Sequence, residues 1–112
     1  MSRPLVVYVD VDDTLIRSFG SKRIAMSHTI ERVQMLHAEG VELYCWSSGG
    51  ADYARESARE VGLEGCFRAF LPKPTALIDD VEVANWGLVE LHPNEAAMVG
   101  GAELLNRVRS RQ

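Results

Sequence analysis

Three carboxylates lie within four positions of the chain, directly after a short apolar run. The stretch LVVYVDVDDTLIRS contains Asp10, Asp12 and Asp13. Side chains two positions apart on a strand point to the same side, so Asp10 and Asp12 are expected to share a site while Asp13 faces solvent. Two carboxylates about 4 Å apart repel by roughly 4 kcal/mol at an effective dielectric constant of about 20. The spacing therefore predicts a positive partner close to Asp10 and Asp12.

The partner that the sequence favours is a divalent cation, because the chain contains only two lysines, Lys22 and Lys73. Mg²⁺ suits a site with few carboxylate ligands and a phosphate. With the charge neutralised, one carboxylate can attack phosphorus to give an aspartyl-phosphate. The second can protonate the leaving oxygen and then activate water. The residues thus predict a Mg²⁺-dependent phosphoric monoester hydrolase (phosphatase).

Strand and helix patterns alternate along the chain, which predicts a three-layer α/β/α Rossmann-like parallel sheet. Apolar runs rich in β-branched and aromatic residues predict strands at 5–11, 41–46, 66–71, 75–80 and 86–91. Helical patterns cover 27–40, with Ser27 as N-cap, 51–62, with Asp52 as N-cap, and 101–112. The segment 16–26 has room only for a flap, such as a hairpin turning at residues 19–21. Arg17, Lys22 and Arg23 are the expected anion contacts of this flap.

Ligands of such sheets bind at the carboxyl ends of the strands. Besides the aspartates, these ends carry Ser47 and Ser48 after the second strand and Asp79 and Asp80 at the end of the fourth. Lys73 shortly precedes the fourth strand. Ser47 and amides at the next helix N-terminus are expected to hold phosphate oxygens, and Lys73 to supply charge.

The motifs, in this order, resemble those of the haloacid dehalogenase-like hydrolase superfamily. DVDDT matches its DxDxT signature, LYCWSS its second motif, Lys73 its third and ALIDD its fourth. The likeness covers residues 5–80 and implies an aspartyl-phosphate mechanism. It also implies a small member without the usual cap domain, because no segment after the first or third strand is long enough to form one.

Carried over residue by residue, the resemblance implies a role for each site residue. The catalytic residues would be Asp10 as nucleophile, Asp12 as general acid and base, and Lys73 as charge balance. The phosphate-binding set would be Thr14, which steadies the loop, with Ser47 and Ser48. Mg²⁺ would be held by Asp10, the backbone carbonyl of Asp12, Asp80, and Asp79 through water or by orienting its neighbour.

Several alternatives stay open at this point. Asp10 and Asp12 are also common as turn or cap residues, Lys73 between two prolines as a rigid turn, and either Ser47 or Ser48 as the phosphate ligand. A response-regulator receiver gathers similar residues, but it places them in a different order along the chain. A catalytically weak or inactive phosphate-binding or scaffold protein with the same fold is the other alternative function.

Composition narrows the class of protein. The 112 residues are 46% hydrophobic and 25% charged, with a net charge of −4, which predicts a single domain over residues 1–112. No basic run provides a nucleic-acid footprint, and no apolar run approaches the roughly 20 residues that cross a membrane. We therefore expect a cytoplasmic protein. Its open site would take a phosphorylated small molecule or macromolecule, or a neighbouring copy in a homo-oligomer would cover it.

Overall fold

A parallel three-stranded sheet is the centre of the fold in a computed structural model that describes residues 4–111. In chain order the elements are β1 (Val6–Asp10), β2 (Ile16–Phe19), β3 (Lys22–Ala25), α1 (Ser27–Ala38), β4 (Glu42–Ser47), α2 (Ala51–Glu60), β5 (Ala69–Pro72), α3 (Pro93–Ala96) and α4 (Gly101–Ser110). Short 3₁₀ turns occur at Glu64–Cys66 and Val83–Asn85. The fold is thus mixed α/β, as predicted.

β4 lies in the middle of this sheet, between β1 and β5, and pairs in parallel with both. Asp10 at the end of β1 is opposite Trp46, and Ser47 at the end of β4 is opposite Pro72 at the end of β5. The register therefore aligns the carboxyl ends of all three strands at one edge. The first three predicted strands are confirmed, with ends shifted by one to three residues.

The two faces of the sheet have different surroundings. On one face Val9, Leu43 and Cys45 join a buried cluster with apolar residues of α1 and α2, among them Val33, Leu36, Ala54 and Ala58. On the other face Tyr8 is 44% exposed, and its ring lies 5.1 Å from that of Tyr44 and 4.8 Å from that of Trp46. The helices of the two crossovers, α1 and α2, therefore bury their apolar sides on the first face.

The flap predicted over residues 16–26 is a hairpin, formed by β2 and β3 in an antiparallel pair. Phe19 is opposite Lys22, so the loop consists of Gly20 and Ser21. Gly20 has a φ of 62°, and a positive φ is what two-residue hairpin loops require. Ile16 is buried, whereas β3 is exposed along its whole length.

The strand predicted over 75–80 is wrong, since these residues form no strand and pair with none in the described chain. Ile78 is fully exposed, so its side chain gains nothing from burial there. The Asp79 carboxylate accepts the backbone N–H of Val81 at 2.9 Å, a local turn that competes with strand pairing. An apolar run alone did not reveal that the segment lacks a neighbouring strand.

The strand predicted over 86–91 is also wrong. Trp86 instead follows the 3₁₀ turn and donates its indole N–H to the Val81 carbonyl at 2.9 Å. Gly87 has a φ of 72°, which interrupts an extended run. The sheet of the described residues accordingly has three strands, where the sequence patterns suggested five.

Helix positions agree better with the sequence than helix caps do. The predicted helices correspond to α1, α2 and α4, although Gln112 lies outside the described residues. Ser27 is the first residue of α1 and Met26 is its N-cap, and Gly50, at a φ of 104°, precedes α2 where Asp52 was expected. Within residues 4–111, no helix is both long and apolar enough to cross a bilayer.

Candidate active site

Asp10 and Lys73 form an ion pair at the carboxyl edge of the sheet. Their side chains are brought together from β1 and from the residue after β5, with 3.3 Å between Lys73 Nζ and Asp10 Oδ1. The backbone N–H of Lys73 donates to the Ser47 carbonyl at 2.9 Å, which fixes the start of the Lys73 side chain beside β4. The predicted nucleophile and its predicted charge partner are thus adjacent.

The loop after β1 is held by two buried apolar residues. Val11 and Leu15 are fully buried, and the Val11 carbonyl accepts the backbone N–H groups of Thr14, Leu15 and Ile16. Asp13 has a φ of 60°, a left-handed conformation that Asp tolerates better than most residues. This turn leaves Asp10 and Asp12 at the edge and directs Asp13 to the surface, where it lies 3.9 Å from Arg17.

Thr14 lies beside Asp10, as the loop role predicted for it requires. Its hydroxyl donates to Asp10 Oδ2 over 3.4 Å, a long hydrogen bond between residues four apart. Asp10 therefore has a cation near one carboxylate oxygen and a hydroxyl near the other. Both contacts hold the carboxylate in place at the sheet edge.

Asp12 is oriented by Tyr53, a residue that the sequence patterns did not single out. Tyr53 lies in the first turn of α2 and donates its hydroxyl to Asp12 Oδ1 at 2.6 Å. The α2 helix begins at the same sheet edge, because it follows the short loop after β4. A tyrosine in the first turn of such a helix was the available signal, although tyrosines are common there for packing alone.

Ser47 and Ser48 occupy different environments. Ser47 is fully buried, and its Oγ accepts the backbone N–H of Gly49 at 3.0 Å, which leaves its own hydroxyl proton free to donate. Ser48 is exposed in the loop. Both remain candidate phosphate ligands, Ser47 from within the strand end and Ser48 from the surface.

Asp79 and Asp80 are exposed, within the irregular segment that follows Lys73. Among residues 4–111, no three or more His, Cys, Asp or Glu side chains are grouped as a metal site would need. Asp10 and Asp12 nevertheless offer hard oxygen donors at one edge, and such donors match the preference of Mg²⁺. The donor chemistry of this pair fits the predicted metal.

One cationic side chain of the hairpin, Arg23, is already bound by other residues of the protein. Arg23 was expected to be an anion contact together with Arg17 and Lys22, but its guanidinium donates to Glu60, Tyr53 and Ser57. These three partners belong to α2, so Arg23 attaches the hairpin to that helix. Arg17 and Lys22 are exposed.

Cys45 is buried in β4 directly behind the site. Burial, together with the nearby negative charge of Asp10, raises the pKa of its thiol to about 12 from an ordinary 9.0. Below pH 9 the thiol is protonated in both folded and unfolded chains, so it has no differential effect. Between pH 9 and about 12 the unfolded chain ionises first, which stabilises the unfolded state.

We therefore expect the free energy of unfolding to fall by up to about 1.4 kcal/mol per pH unit above pH 9 through this one group. Urea unfolding at a series of pH values would measure it, with Cys45→Ala as the comparison. The native chain should lose stability more steeply than the variant. Equal pH dependence in both chains would contradict the assignment.

Comparison with known proteins corrects one sequence-based expectation. A family model described as "Protein of unknown function (DUF705)" matches residues 1–77. An uncharacterized 38.0 kDa protein of Autographa californica nuclear polyhedrosis virus is 39% identical over 64 residues, which cover 57% of this chain and 20% of that protein. The chain thus spans about a fifth of the length of this relative.

The solved structure of an MCSG target from Vibrio cholerae has a similar fold. It superposes with a TM-score of 0.59 at 17% identity, over 96% of this chain and 99% of that one. At this level of identity the likeness concerns the fold alone.

Membership of the haloacid dehalogenase-like superfamily, expected from the order of four motifs, is therefore wrong. The family match is to a different description, and the segment compared with the fourth motif forms no strand. Short motifs such as DxDxT require few residues and can arise wherever acids follow a strand. By the match over residues 1–77, the chain belongs to the family described as Protein of unknown function (DUF705).

Proposed function

We propose that this protein is a Mg²⁺-dependent phosphoric monoester hydrolase that forms an aspartyl-phosphate on Asp10. The finer fold expected with it, a three-layer α/β/α Rossmann-like sheet without a cap domain, belongs to the same proposal. The observation that carries the proposal is the meeting of Asp10, Lys73 and Ser47 at one sheet edge, with Asp12 two residues beyond the nucleophile. This is the edge where ligands of parallel sheets bind.

The first step is attack of an Asp10 carboxylate oxygen on phosphorus. A bond forms between that oxygen and phosphorus, and the bond from phosphorus to the leaving oxygen breaks. The electron pair of the broken bond stays on the leaving oxygen, which takes a proton from the Asp12 carboxyl group. Lys73 offsets the charge on the remaining phosphate oxygens, and the hydroxyl of Ser47 or Ser48 donates a hydrogen bond to them.

The second step regenerates Asp10. Water attacks phosphorus of the aspartyl-phosphate and transfers a proton to the Asp12 carboxylate, which was left ionised by the first step. The phosphorus–oxygen bond to Asp10 then breaks, and inorganic phosphate leaves. Asp12 is again protonated and Asp10 again ionised, so the cycle closes.

Asp10 and Asp12 would hold Mg²⁺, with Asp79 and Asp80 as further candidate ligands. When bound, the ion supplies positive charge that allows the acids and a phosphate dianion to lie together. The exposed site carries no covering domain within the described residues, which supports a phosphorylated macromolecule or small molecule as substrate, or cover by a neighbouring copy.

One observation favours a second candidate, a phosphate-binding or scaffold protein with little turnover. Asp79 and Asp80 lie in an exposed, unpaired segment and form no metal-binding group with Asp10 and Asp12. In this alternative Lys73 and Ser47 would bind phosphate without a subsequent reaction. The two candidates differ in whether phosphate is released.

The test is hydrolysis of p-nitrophenyl phosphate with Mg²⁺ and with a chelator. We expect turnover that falls at least about 100-fold when the metal is removed and returns when Mg²⁺ is added back. A chain that binds inorganic phosphate by calorimetry but hydrolyses neither this ester nor a phosphorylated peptide would contradict the proposal and support the binding protein.

A pair of neighbouring variants examines the ligands in the same assay. If Asp80 ligates the ion, Asp80→Asn should raise the Mg²⁺ concentration needed for half-maximal rate by about 10-fold or more. Asp79→Asn changes the adjacent candidate ligand in the same way and is measured beside it. An unchanged Mg²⁺ requirement in both would remove this segment from the metal site.

A further inference from the structure

Asp12 is connected to the hairpin through a chain of side-chain contacts. Arg23 of β3 donates to the Tyr53 hydroxyl oxygen at 2.9 Å, and Tyr53 donates to Asp12 Oδ1 at 2.6 Å. A guanidinium can only donate, and a phenol has one proton. Since the oxygen of Tyr53 accepts from Arg23, its single proton goes to Asp12. The direction of both hydrogen bonds is thereby determined.

Tyr53 has little freedom to leave this position. Its ring lies against Gly49, where a Cβ atom would come within 2.8 Å of the ring. The Arg23 guanidinium lies 5.4 Å from the ring centroid, a cation–π contact. The ring is thus contacted by both a loop glycine and an arginine.

Arg23 is fixed in turn by α2. It forms an ion pair with Glu60 at 3.0 Å and donates to the buried Ser57 hydroxyl at 3.0 Å. The hydrogen bond to Tyr53 and the contacts with Glu60 raise the pKa of Arg23 despite some desolvation, so its charge is permanent. The cation that orients Tyr53 is therefore present at every working pH.

We infer that Tyr53, aligned by Arg23, is a positioning residue that holds Asp12 for proton transfer to the leaving group. Because Tyr53 donates to Oδ1, we assign the transferred proton to the other oxygen, Oδ2. The hairpin thereby contributes to the reaction through Arg23 without contacting substrate. This inference rests on the proposed function of Asp12 as general acid.

The dependence of rate on the leaving group tests the inference. Phenolate is a poor leaving group and needs a proton, whereas 2,4-dinitrophenolate leaves readily without one. For Tyr53→Phe we expect kcat/KM to fall about 10-fold with phenyl phosphate and to change less than about 2-fold with 2,4-dinitrophenyl phosphate. A merely structural role would lower both rates together.

Two further variants complete the design. Tyr44→Phe is the matched control, because it removes a tyrosine hydroxyl that donates to Glu42 and not to Asp12. The rates with both esters should be unchanged in this variant. Arg23→Gln leaves the Tyr53 hydroxyl in place but removes its alignment, so it should show the same selectivity as Tyr53→Phe in a weaker form. With Asp12→Asn already present, Tyr53→Phe should cause no further loss.

The outcomes separate this inference from the proposed function. Equal losses with both esters, or an additional loss in the Asp12→Asn background, would overturn the role of Tyr53 while the hydrolase proposal stands. If the native chain hydrolyses neither ester in the presence of Mg²⁺, both the inference and the proposed function are overturned. Selective loss with phenyl phosphate alone supports the inference.

Discussion

Asp10→Asn is expected to lower kcat for aryl phosphate hydrolysis by about 10⁴-fold or more, with the fold intact. The amide keeps the shape of the side chain but cannot act as the nucleophile. It also leaves Lys73, at 3.3 Å, without its counter-charge. Steady-state kinetics would measure the loss, and circular dichroism would establish that the variant is folded.

Asp13→Asn is the matched control for this substitution. Asp13 lies three residues along the same loop, is exposed, and makes only a loose ion pair with Arg17. Asn tolerates its left-handed φ of 60° as well as Asp does, so the turn should be preserved. We expect nearly native kcat. Retained turnover in Asp10→Asn, or comparable losses in both variants, would contradict the assignment of Asp10 as nucleophile.

Acid-quenched native protein provides a second readout of the same prediction. If Asp10 becomes phosphorylated, a fraction of the chain should carry phosphate that hydroxylamine releases, as expected of an acyl phosphate. Asp10→Asn should carry none. Mass spectrometry of the quenched chain would locate the group. Phosphate on a serine or histidine would point to another nucleophile.

Leu43→Ala is expected to destabilise the fold by about 2–5 kcal/mol. Leu43 is 1% exposed and lies in the central strand β4, so truncation leaves a cavity that neighbouring strands and helices cannot readily fill. Domains of this size have a free energy of unfolding of about 5–15 kcal/mol, so the loss is a large fraction of it. Thermal unfolding should show a Tm lower by roughly 10–20 °C.

Leu77→Ala is the matched substitution at an exposed site. Leu77 is 55% exposed in the segment after β5, and the same truncation there should change stability by less than about 0.5 kcal/mol. Similar losses in the two variants would show that the segment around Leu77 is buried in solution. Asp79 and Asp80, in the same segment, would then be buried as well.

The parallel sheet could be predicted from the sequence because its signal is local. A β-branched run marks β1 and an aromatic-rich run marks β4. Helical periodicity follows the hairpin after β1 and follows β4 through a short loop. The same signal was misleading at Ile78, whose neighbours look like a strand but have no partner in the described chain. Strand pairing depends on the neighbouring strand, and the sequence of one segment does not show whether such a strand is present.

The site was predictable to the extent that strand ends determine it. Asp10, Lys73 and Ser47 follow apolar runs, and the parallel register brings them to one edge. Tyr53 and Arg23 were not predicted as part of a relay, because their contact depends on how the hairpin lies on α2. No residue pattern between β2 and α2 predicts how the hairpin is oriented relative to that helix. Arg23 was therefore assigned to anion binding from its charge alone.

The parallel pairing of β1, β4 and β5 has a consequence for biosynthesis. Each pairing in this sheet spans a helical crossover, so the sheet depends on contacts between residues distant in sequence, and such topologies fold slowly. The ion pair of Asp10 with Lys73 joins residues more than half of the chain apart. A nascent chain therefore cannot assemble the pair until synthesis has passed well beyond β5, and its first aspartates emerge from the ribosome long before their cation does.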